Sequence, residues 1–441
     1  MTLIAAEDAS TFAPPPGAFR KTKWSVIWLL TLTLFSALTV GGMFAPLQDA
    51  AKADLGISDL QLGLLAGMAS AVPVALLSLP IAWMVDHKTR SRLLIFLASL
   101  WAFGTIGTAF VQDFTQLFAV RLIAGVGGGC AFPVVVSLLA DVCMPDRRGR
   151  SMLLVSVGAW AGAGAAFAIG GSLFGYFAAH PGAGLMGLAP WRETHLLVGI
   201  GAVLLVLPLF LMREPQRYEV GETALTLRAS MAGVWRRRKF LLPLFVGQMS
   251  GGMAEGAAAI WIGSVLTRAY GLQPGEFGGW VGLVILGAGI VGSIIGGFTA
   301  DLGHKTRIRG GILLPALIAT ALTIPASAYP IMPTVGGFAW VLFALLLGGT
   351  IVNLVASAAI AVLIPNEERA ICLAGLKIMG SVIAVGLAPP LIAWLASYAD
   401  GPGGMGQVLT WLGVVTGFIS LAGFWLAMVH APQNIAKAAQ V

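Results

Sequence analysis

The chain is predicted to be an all-α membrane protein with twelve transmembrane helices arranged in two six-helix bundles, and three observations carry that expectation. Of its 441 residues, 58% are hydrophobic and only 10% are charged, whereas soluble domains carry roughly a quarter charged residues. Twelve apolar segments reach the roughly 20 residues that cross a hydrocarbon core: 24–46, 60–85, 93–111, 117–144, 151–177 and 194–212, then 241–269, 278–299, 312–332, 335–364, 370–397 and 408–428. The third observation is an internal echo. The charged hinge Asp86-His87-Lys88-Thr89-Arg90-Ser91-Arg92 returns as Asp301 followed by His304-Lys305-Thr306-Arg307-Ile308-Arg309. Gly41-Gly42-Met43 likewise returns as Gly251-Gly252-Met253, and Pro145-Asp146-Arg147-Arg148 as Pro365-Asn366-Glu367-Glu368-Arg369. Echoes that keep their order at half-length point to a duplicated unit.

Charge orients the chain. A net charge of +7 invites a nucleic-acid reading, so the 26 Lys and Arg must first be sorted by segment. With the N-terminus inside, Lys52, Arg192 and Arg268 fall outside, Arg121 and Lys377 fall within spans, and the rest are cytoplasmic. That is the positive-inside asymmetry, so the basic excess belongs to topology and no nucleic-acid partner is expected. The division is a tail 1–23, a bundle 24–212, a linker 213–240, a bundle 241–428 and a tail 429–441, with both tails cytoplasmic. The apolar run after Arg20, Lys21 and Lys23 is too long for the core of a cleaved signal, so the first span is expected to remain.

Span 1 carries Thr31, Thr33, Ser36 and Thr39 ahead of Gly41-Gly42, small residues that permit close helix contact or local unwinding. The outer segment past Pro46, with Leu55, Ile57 and Leu60, reads as a short interfacial turn before span 2 descends to the Asp86 hinge. Span 4 holds Arg121-x-x-x-Gly125-x-Gly127-x-Gly129, then Phe132-Pro133 and Ala140-Asp141 ahead of a basic loop to Arg150. Span 5 repeats glycine as Gly158-x-x-x-Gly162-x-Gly164 and Gly170-Gly171, a smooth face for a neighbouring helix. The linker ends in Arg236-Arg237-Arg238-Lys239, a topological anchor that also suits anionic lipid at about 1 kcal/mol per basic residue. The second half repeats the plan with two additions, Glu255 in span 7 and Lys377 in span 11.

Those additions are the candidate site. Glu255 lies 14 residues past Leu241, about 21 Å into the bilayer, where a carboxylate is ionised only if paired or wetted. It either faces a cavity or is a protonated acid bonded to helix backbone. Lys377 lies about 12 Å from the inner edge and is placed to meet an anionic group. Arg121, about 6 Å below the outer edge, either joins the cavity or snorkels to the interface. Gln248 and Asn353 suit the same cavity or helix-to-helix hydrogen bonds. Trp160, Trp261, Trp280 and Trp340 suit the floor of an amphiphile site or the membrane interfaces. Cys130, Cys143 and Cys372 show no paired or metal-ligand spacing and read as packing residues, so no cofactor is expected.

Two sixes of spans, a basic hinge after span 2 and Arg-x-x-x-Gly-x-Gly in span 4 resemble the major facilitator superfamily over residues 24–428. Within it, Lys52-Ala53-Asp54-Leu55-Gly56-Ile57-Ser58-Asp59-x-Gln61-x-Gly63-Leu64-Leu65, Gly125-Val126-Gly127 and Arg147-Arg148-Gly149-Arg150 resemble bacterial spinster-like members. The resemblance implies an inner-membrane protein and a cytoplasmic gate at Asp86, Arg90, Arg92, Asp141 and Arg148, with Asp301, Arg307 and Arg369 as its second-half counterpart. In relatives such hinges hold the halves together in the outward-facing state and part in the inward-facing one. It also implies a place for Arg121 near the substrate and proton site. The chain departs from the spinster-like pattern where that branch carries an Asp-Arg pair in span 1 and a Glu in span 4. Val40, Gly41 and Gly128 stand there, so the usual proton-coupling residues do not carry over.

The expectation is a monomeric secondary transporter working by alternating access, moving a small organic anion or a lipid-like amphiphile, with protons coupled through Glu255. A spinster-like lysolipid exporter or an uncoupled facilitator is the alternative. A mostly apolar cavity with one cation favours the amphiphile, and two convergent cations favour a compact carboxylate. A membrane-embedded enzyme is disfavoured by the absence of His-Glu-x-x-His and Gly-x-Ser-x-Gly, a primary pump by the absence of a phosphate loop. A receptor remains a distant alternative.

Overall fold

The computed structural model describes residues 22–144, 147–217, 234–306, 308–399, 401 and 403–432, and among them every regular element is helical. Arg307, the Pro145-Asp146 pair and most of the linker lie outside the described residues. In the first half, α1 spans Trp24–Leu55 with a break at Met43, α2 Asp59–His87, α3 Arg90–Thr108, α4 Phe114–Val142, α5 Arg148–Ala179 and α6 Pro190–Leu211. In the second, α7 spans Arg238–Tyr270, α8 Pro274–Lys305, α9 Gly311–Ile331, α10 Val335–Leu363, α11 residues 366–396 and α12 Gly404–Val429. Among the described residues, eleven candidate spans satisfy both length and apolarity. The twelfth, α7, has 33 residues, about 50 Å of helix, and its hydropathy is diluted by Gln248, Glu255 and its glycines. The protein is integral to the membrane.

The twelve helices alternate between two faces. The one holding Trp24 and Val429 is the terminal face, the other the distal face. Distal turns are sharp because their residues stop and start helices in place. Gly56 and Gly271 close α1 and α7 at φ 64° and 71°, a left-handed conformation that glycine adopts without strain. The Ser58 hydroxyl accepts the Gln61 amide proton while the Gln61 side chain accepts that of Ser58, a reciprocal cap on α2. The Asp113 and Thr334 side chains cap α4 and α10 one way, accepting from the Gln116 and Gly337 amides.

Within the first bundle α1 packs on α4 and α5, and α3 on α4 and α6; within the second α7 packs on α12, α8 on α10, and α9 on α10 and α12. The bundles meet along α5 with α8, α2 with α11 and α1 with α7. These seams are glycine on backbone, and the tightest lie toward the distal face. A Cβ added at Gly67 would lie 2.5 Å from the Gly386 carbonyl oxygen, at Gly164 2.5 Å from that of Gly282, and at Gly263 2.7 Å from that of Ala45. α11 relaxes into a π turn over Ser381–Leu387. Pro389 and Pro390 follow, and without N–H groups they leave the Val385 and Gly386 carbonyls no donor four residues on. Those two carbonyls are the ones that face Gly67 of α2.

Candidate functional site

A cavity of about 250 Å³ lies between the bundles. The first bundle contributes Leu38, Gly41, Gly42, Trp160, Ala163 and Phe167, the second Glu255, Ala259, Ile262, Ile285, Gly289, Leu346 and Thr350. Its surface is almost wholly apolar, and Glu255 is the one ionisable side chain among the lining residues. Trp160 reaches across the seam onto Gly289, where a Cβ would come within 2.2 Å of the indole. Gly289 therefore lets an aromatic plane form a wall of the cavity.

Glu255 also faces a second space. Inside the second bundle, α7, α9, α10 and α12 enclose a pocket of about 20 Å³ lined by Gln248, Glu255, Thr320, Thr323, Ser327 and Gly349 among others. Glu255 is the only residue common to both linings. The carboxyl rests on Gly349, where a Cβ would sit 2.6 Å from Oε2. Gln248 belongs to this inner pocket and not to the central cavity. Asn353 is exposed on α10 and lines neither space.

The two intramembrane cations separate. Lys377 is exposed although it lies well inside α11, and its Nζ sits 5.4 Å from the centre of the Phe132 ring on α4, so it bridges the two bundles. Arg121 is 6% exposed and points into the first bundle. It donates from Nη2 to the Gly41 carbonyl at 3.1 Å and lies over the Phe44 ring at 5.0 Å. It thus braces the break in α1 from behind the cavity wall that Gly41 helps to form. It neither snorkels nor lines the cavity. Of the tryptophans, only Trp160 lines the cavity; Trp261 is fully buried, and Trp280 and Trp340 flank an outer groove between α8 and α10.

At the terminal face the hinge residues form two clusters. Arg90, buried at the start of α3, pairs with Asp141 of α4 and donates from Nε to Glu214 at 2.9 Å. The Ser91 backbone N–H donates to the second Glu214 oxygen at 2.8 Å. Burial alone would raise the Glu214 carboxyl, but hydrogen bonds from Ser91 and Arg90 and the Arg90 charge outweigh it and hold the group below its ordinary range. Arg217 caps the end of α2, donating to the carbonyls of Val85 and Lys88, each at 2.7 Å, and of Asp86. In the second half Glu368 pairs with Arg236 and Arg237, and Arg369 donates to the Ile364 carbonyl at 3.3 Å. Arg148 donates to the Ala140 carbonyl at 3.1 Å. The carboxylate of Asp86 and the side chains of Arg92 and Asp301 are exposed. The ion pairs of Arg90 and Glu368 thus join parts of one half or a half and its linker end, and neither crosses between the bundles.

The cluster that does cross lies at the distal face. Arg268, at the end of α7, donates from Nη1 and Nη2 to both oxygens of Asp59 at 2.9 and 2.7 Å, and from Nε to Asp49 at 3.1 Å. Lys52 joins Asp59 at 2.7 Å. Just below, Gln48 of α1 donates to the Ile260 carbonyl and the Ser264 hydroxyl of α7, both at 2.9 Å. In the sequence Lys52 and Arg268 stand merely outside, and the segment Asp49 to Asp59 reads as a turn. The signal was nonetheless present: opposite charges end spans 1 and 7, the first helix of each half.

The family model for the Major Facilitator Superfamily matches residues 29–369. A probable sulfoacetate transporter of Cupriavidus necator is 24% identical over 325 residues, covering 69% of this chain and 72% of the relative. The 3-(3-hydroxy-phenyl)propionate transporter of Escherichia coli is 33% identical over 105 residues, about a quarter of each chain. Among solved structures, a bacterial homolog of the human lysosomal transporter Spinster, in an inward-facing and unoccupied conformation, superposes with a TM-score of 0.78 at 19% identity over 93% of this chain and 98% of its own.

Proposed function

The chain belongs to the Major Facilitator Superfamily, and from that premise we propose that it is a secondary transporter for a small organic anion with an apolar body, coupled to protons through Glu255. The observation that carries this reading is the cavity between the bundles, with apolar walls and one acid inside; Lys377 lies outside its lining, between the bundles against Phe132. The cavity's 250 Å³ equals about eight water molecules at ~30 Å³ each. With its cations separated the cavity favours an amphiphilic solute over a compact carboxylate, and its volume suits one whose apolar body is a ring or short hydrocarbon, being small for a lysolipid chain. Lys377 meets the anionic group, since an ammonium to carboxylate hydrogen bond is among the stronger polar contacts. The names of relatives, one for sulfoacetate and one for a phenylpropionate, agree with an anion.

The termini are assigned to the cytoplasm by the positive-inside distribution, which makes the distal face periplasmic and the present arrangement inward-facing. The bundles 24–212 and 241–428 then rock about the cavity. On opening outward, Arg268 leaves Asp49 and Asp59 and the distal glycine seams part, while the hinge residues of the terminal face approach across the two halves. Glu255 exchanges a proton with whichever side the cavity faces. Protonated Glu255 admits the anion, and an ionised one repels it, which couples the two flows.

Proteoliposomes test this. With the interior buffered alkaline, uptake of labelled 3-(3-hydroxyphenyl)propionate is expected to accelerate, and Glu255→Gln is expected to lose the acceleration while retaining exchange of the anion. Full gradient-driven uptake by Glu255→Gln overturns the coupling assignment. Transport of a lysophospholipid with none of the carboxylate overturns the substrate assignment in favour of the spinster-like alternative.

A further inference from the structure

Behind Glu255, the pocket in the second bundle has the size and chemistry for one molecule of water. Its ~20 Å³ exceeds the 10–15 Å³ a water needs. Two of its polar atoms, Gln248 Oε1 and Thr320 Oγ1, are buried and without a hydrogen-bond partner, and Thr320 is 1% exposed. Leaving a buried polar atom unpaired costs about 1–3 kcal/mol, and both orphans line the wall that Glu255 completes. The neighbouring hydroxyls are committed as donors: Thr323 to the Thr320 carbonyl at 2.8 Å and Ser327 to the Thr323 carbonyl at 3.0 Å. The space itself exists because Gly251, Gly252, Gly349, Gly413 and Gly417 present no side chains to it.

We propose that this pocket binds a single water that joins the Glu255 carboxyl to Gln248 and Thr320, making these two residues positioning residues for the coupling acid. The inference rests on the reading of Glu255 as the proton carrier. When Glu255 is protonated, its O–H donates to the water, and the water donates one hydrogen to Gln248 Oε1 and one to Thr320 Oγ1. When the proton leaves to the central cavity, the water turns one hydrogen to the carboxylate and keeps the other on Gln248. The Thr320 hydroxyl then rotates to donate to the water. Both hydrogens of the water and the Glu255 proton have acceptors in each state, and the water keeps three bonds, a usual number for a buried one. No other ionisable side chain lines either space, so the proton has no competing holder there. The pocket gives the carboxyl a partner that stays with the second bundle when the central cavity changes sides.

Infrared difference spectra between acid and alkaline states of the reconstituted protein test this without transport. The expected spectrum contains a neutral carboxyl band that Glu255→Gln abolishes and a water O–H band that shifts when H₂¹⁸O replaces H₂¹⁶O. Thr320→Val, close in volume, is expected to remove the water band and move the carboxyl band to higher frequency, whereas Thr320→Ser keeps both bands. Gln248→Leu is expected to act like Thr320→Val. Absence of an ¹⁸O-sensitive band in the wild type, or its persistence in Thr320→Val with the carboxyl band unmoved, overturns the proposal. If Glu255→Gln keeps gradient-driven uptake, the coupling role fails while the spectra still judge the water site.

Discussion

Lys377 and Arg121 look alike in the sequence, single cations inside apolar spans, and the fold gives them different work. Depth along a helix fixes how far a charge lies from the bilayer edge but not the direction in which it points. Arg121 turns inward to the Gly41 carbonyl, because a bent α1 offers an acceptor and an aromatic face there. Lys377 turns to the other bundle, where its partner among the described residues is the Phe132 ring. Glu255 was legible because an acid at that depth has few fates; its seat on Gly349 was not, since one glycine among 58 carries no mark. For Lys377 the consequence is a binding effect. A charge-assisted hydrogen bond contributes about 1.5–3 kcal/mol, so Lys377→Met is expected to raise the KM for the carboxylate roughly ten- to hundredfold with its melting temperature little changed. Lys377→Arg, which keeps the charge, is expected to fall between. An unchanged KM for Lys377→Met would remove the lysine from the binding site.

At the level of helices, closure of the distal face depends on backbone approach along the seams and on the Arg268 latch, and the two act in the same direction. Glycines such as Gly164 were legible as packing residues, but which pairs meet across the halves was not, because a glycine repeat fixes no partner. Gly67→Leu removes the approach of α2 to α11, since even its Cβ would lie 2.5 Å from a carbonyl oxygen. Arg268→Ala removes contacts to Asp49 and Asp59 at the same face. Each is expected to populate the outward-open form, and a destabilisation of the closed form by 1.4 kcal/mol is about tenfold in population. The reporter is Ala259, which lines the central cavity, and the three native cysteines are buried. In an Ala259→Cys background lacking those three, an impermeant maleimide applied from the distal side is expected to label either variant roughly tenfold faster than the parent. Equal rates would show that neither the seam nor the latch holds that face shut.

For the whole molecule, the duplicated plan was readable because hinges, glycine pairs and basic loops recur in one order. Which face is shut was not readable, because the ions that shut it stand at helix ends where no periodicity assigns them partners. The linker shows the same limit. Its sequence reads as a polar insertion between bundles, yet Glu214 and Arg217 grip the α2 to α3 hinge of the first bundle, while Arg236 and Arg237 grip Glu368 of the second. The linker is thus fastened at one end to the α2 to α3 hinge and at the other to the start of α11, both expected to move during rocking. Protonation releases one of these fastenings. Because Glu214 is held below its ordinary value near 4.5 in the folded protein, it binds protons more readily when unfolded. Its stabilising contribution is therefore complete above about pH 4.5 and is lost as pH falls through the lower, folded value. Glu214→Gln keeps the shape and removes the charge, so its melting temperature is expected to lie below that of the wild type at pH 7, with the gap closing on acidification below pH 4.5. Tryptophan fluorescence melts at the two pH values measure this, and a gap that persists unchanged in acid would show that the Glu214 charge does not hold the linker to the hinge.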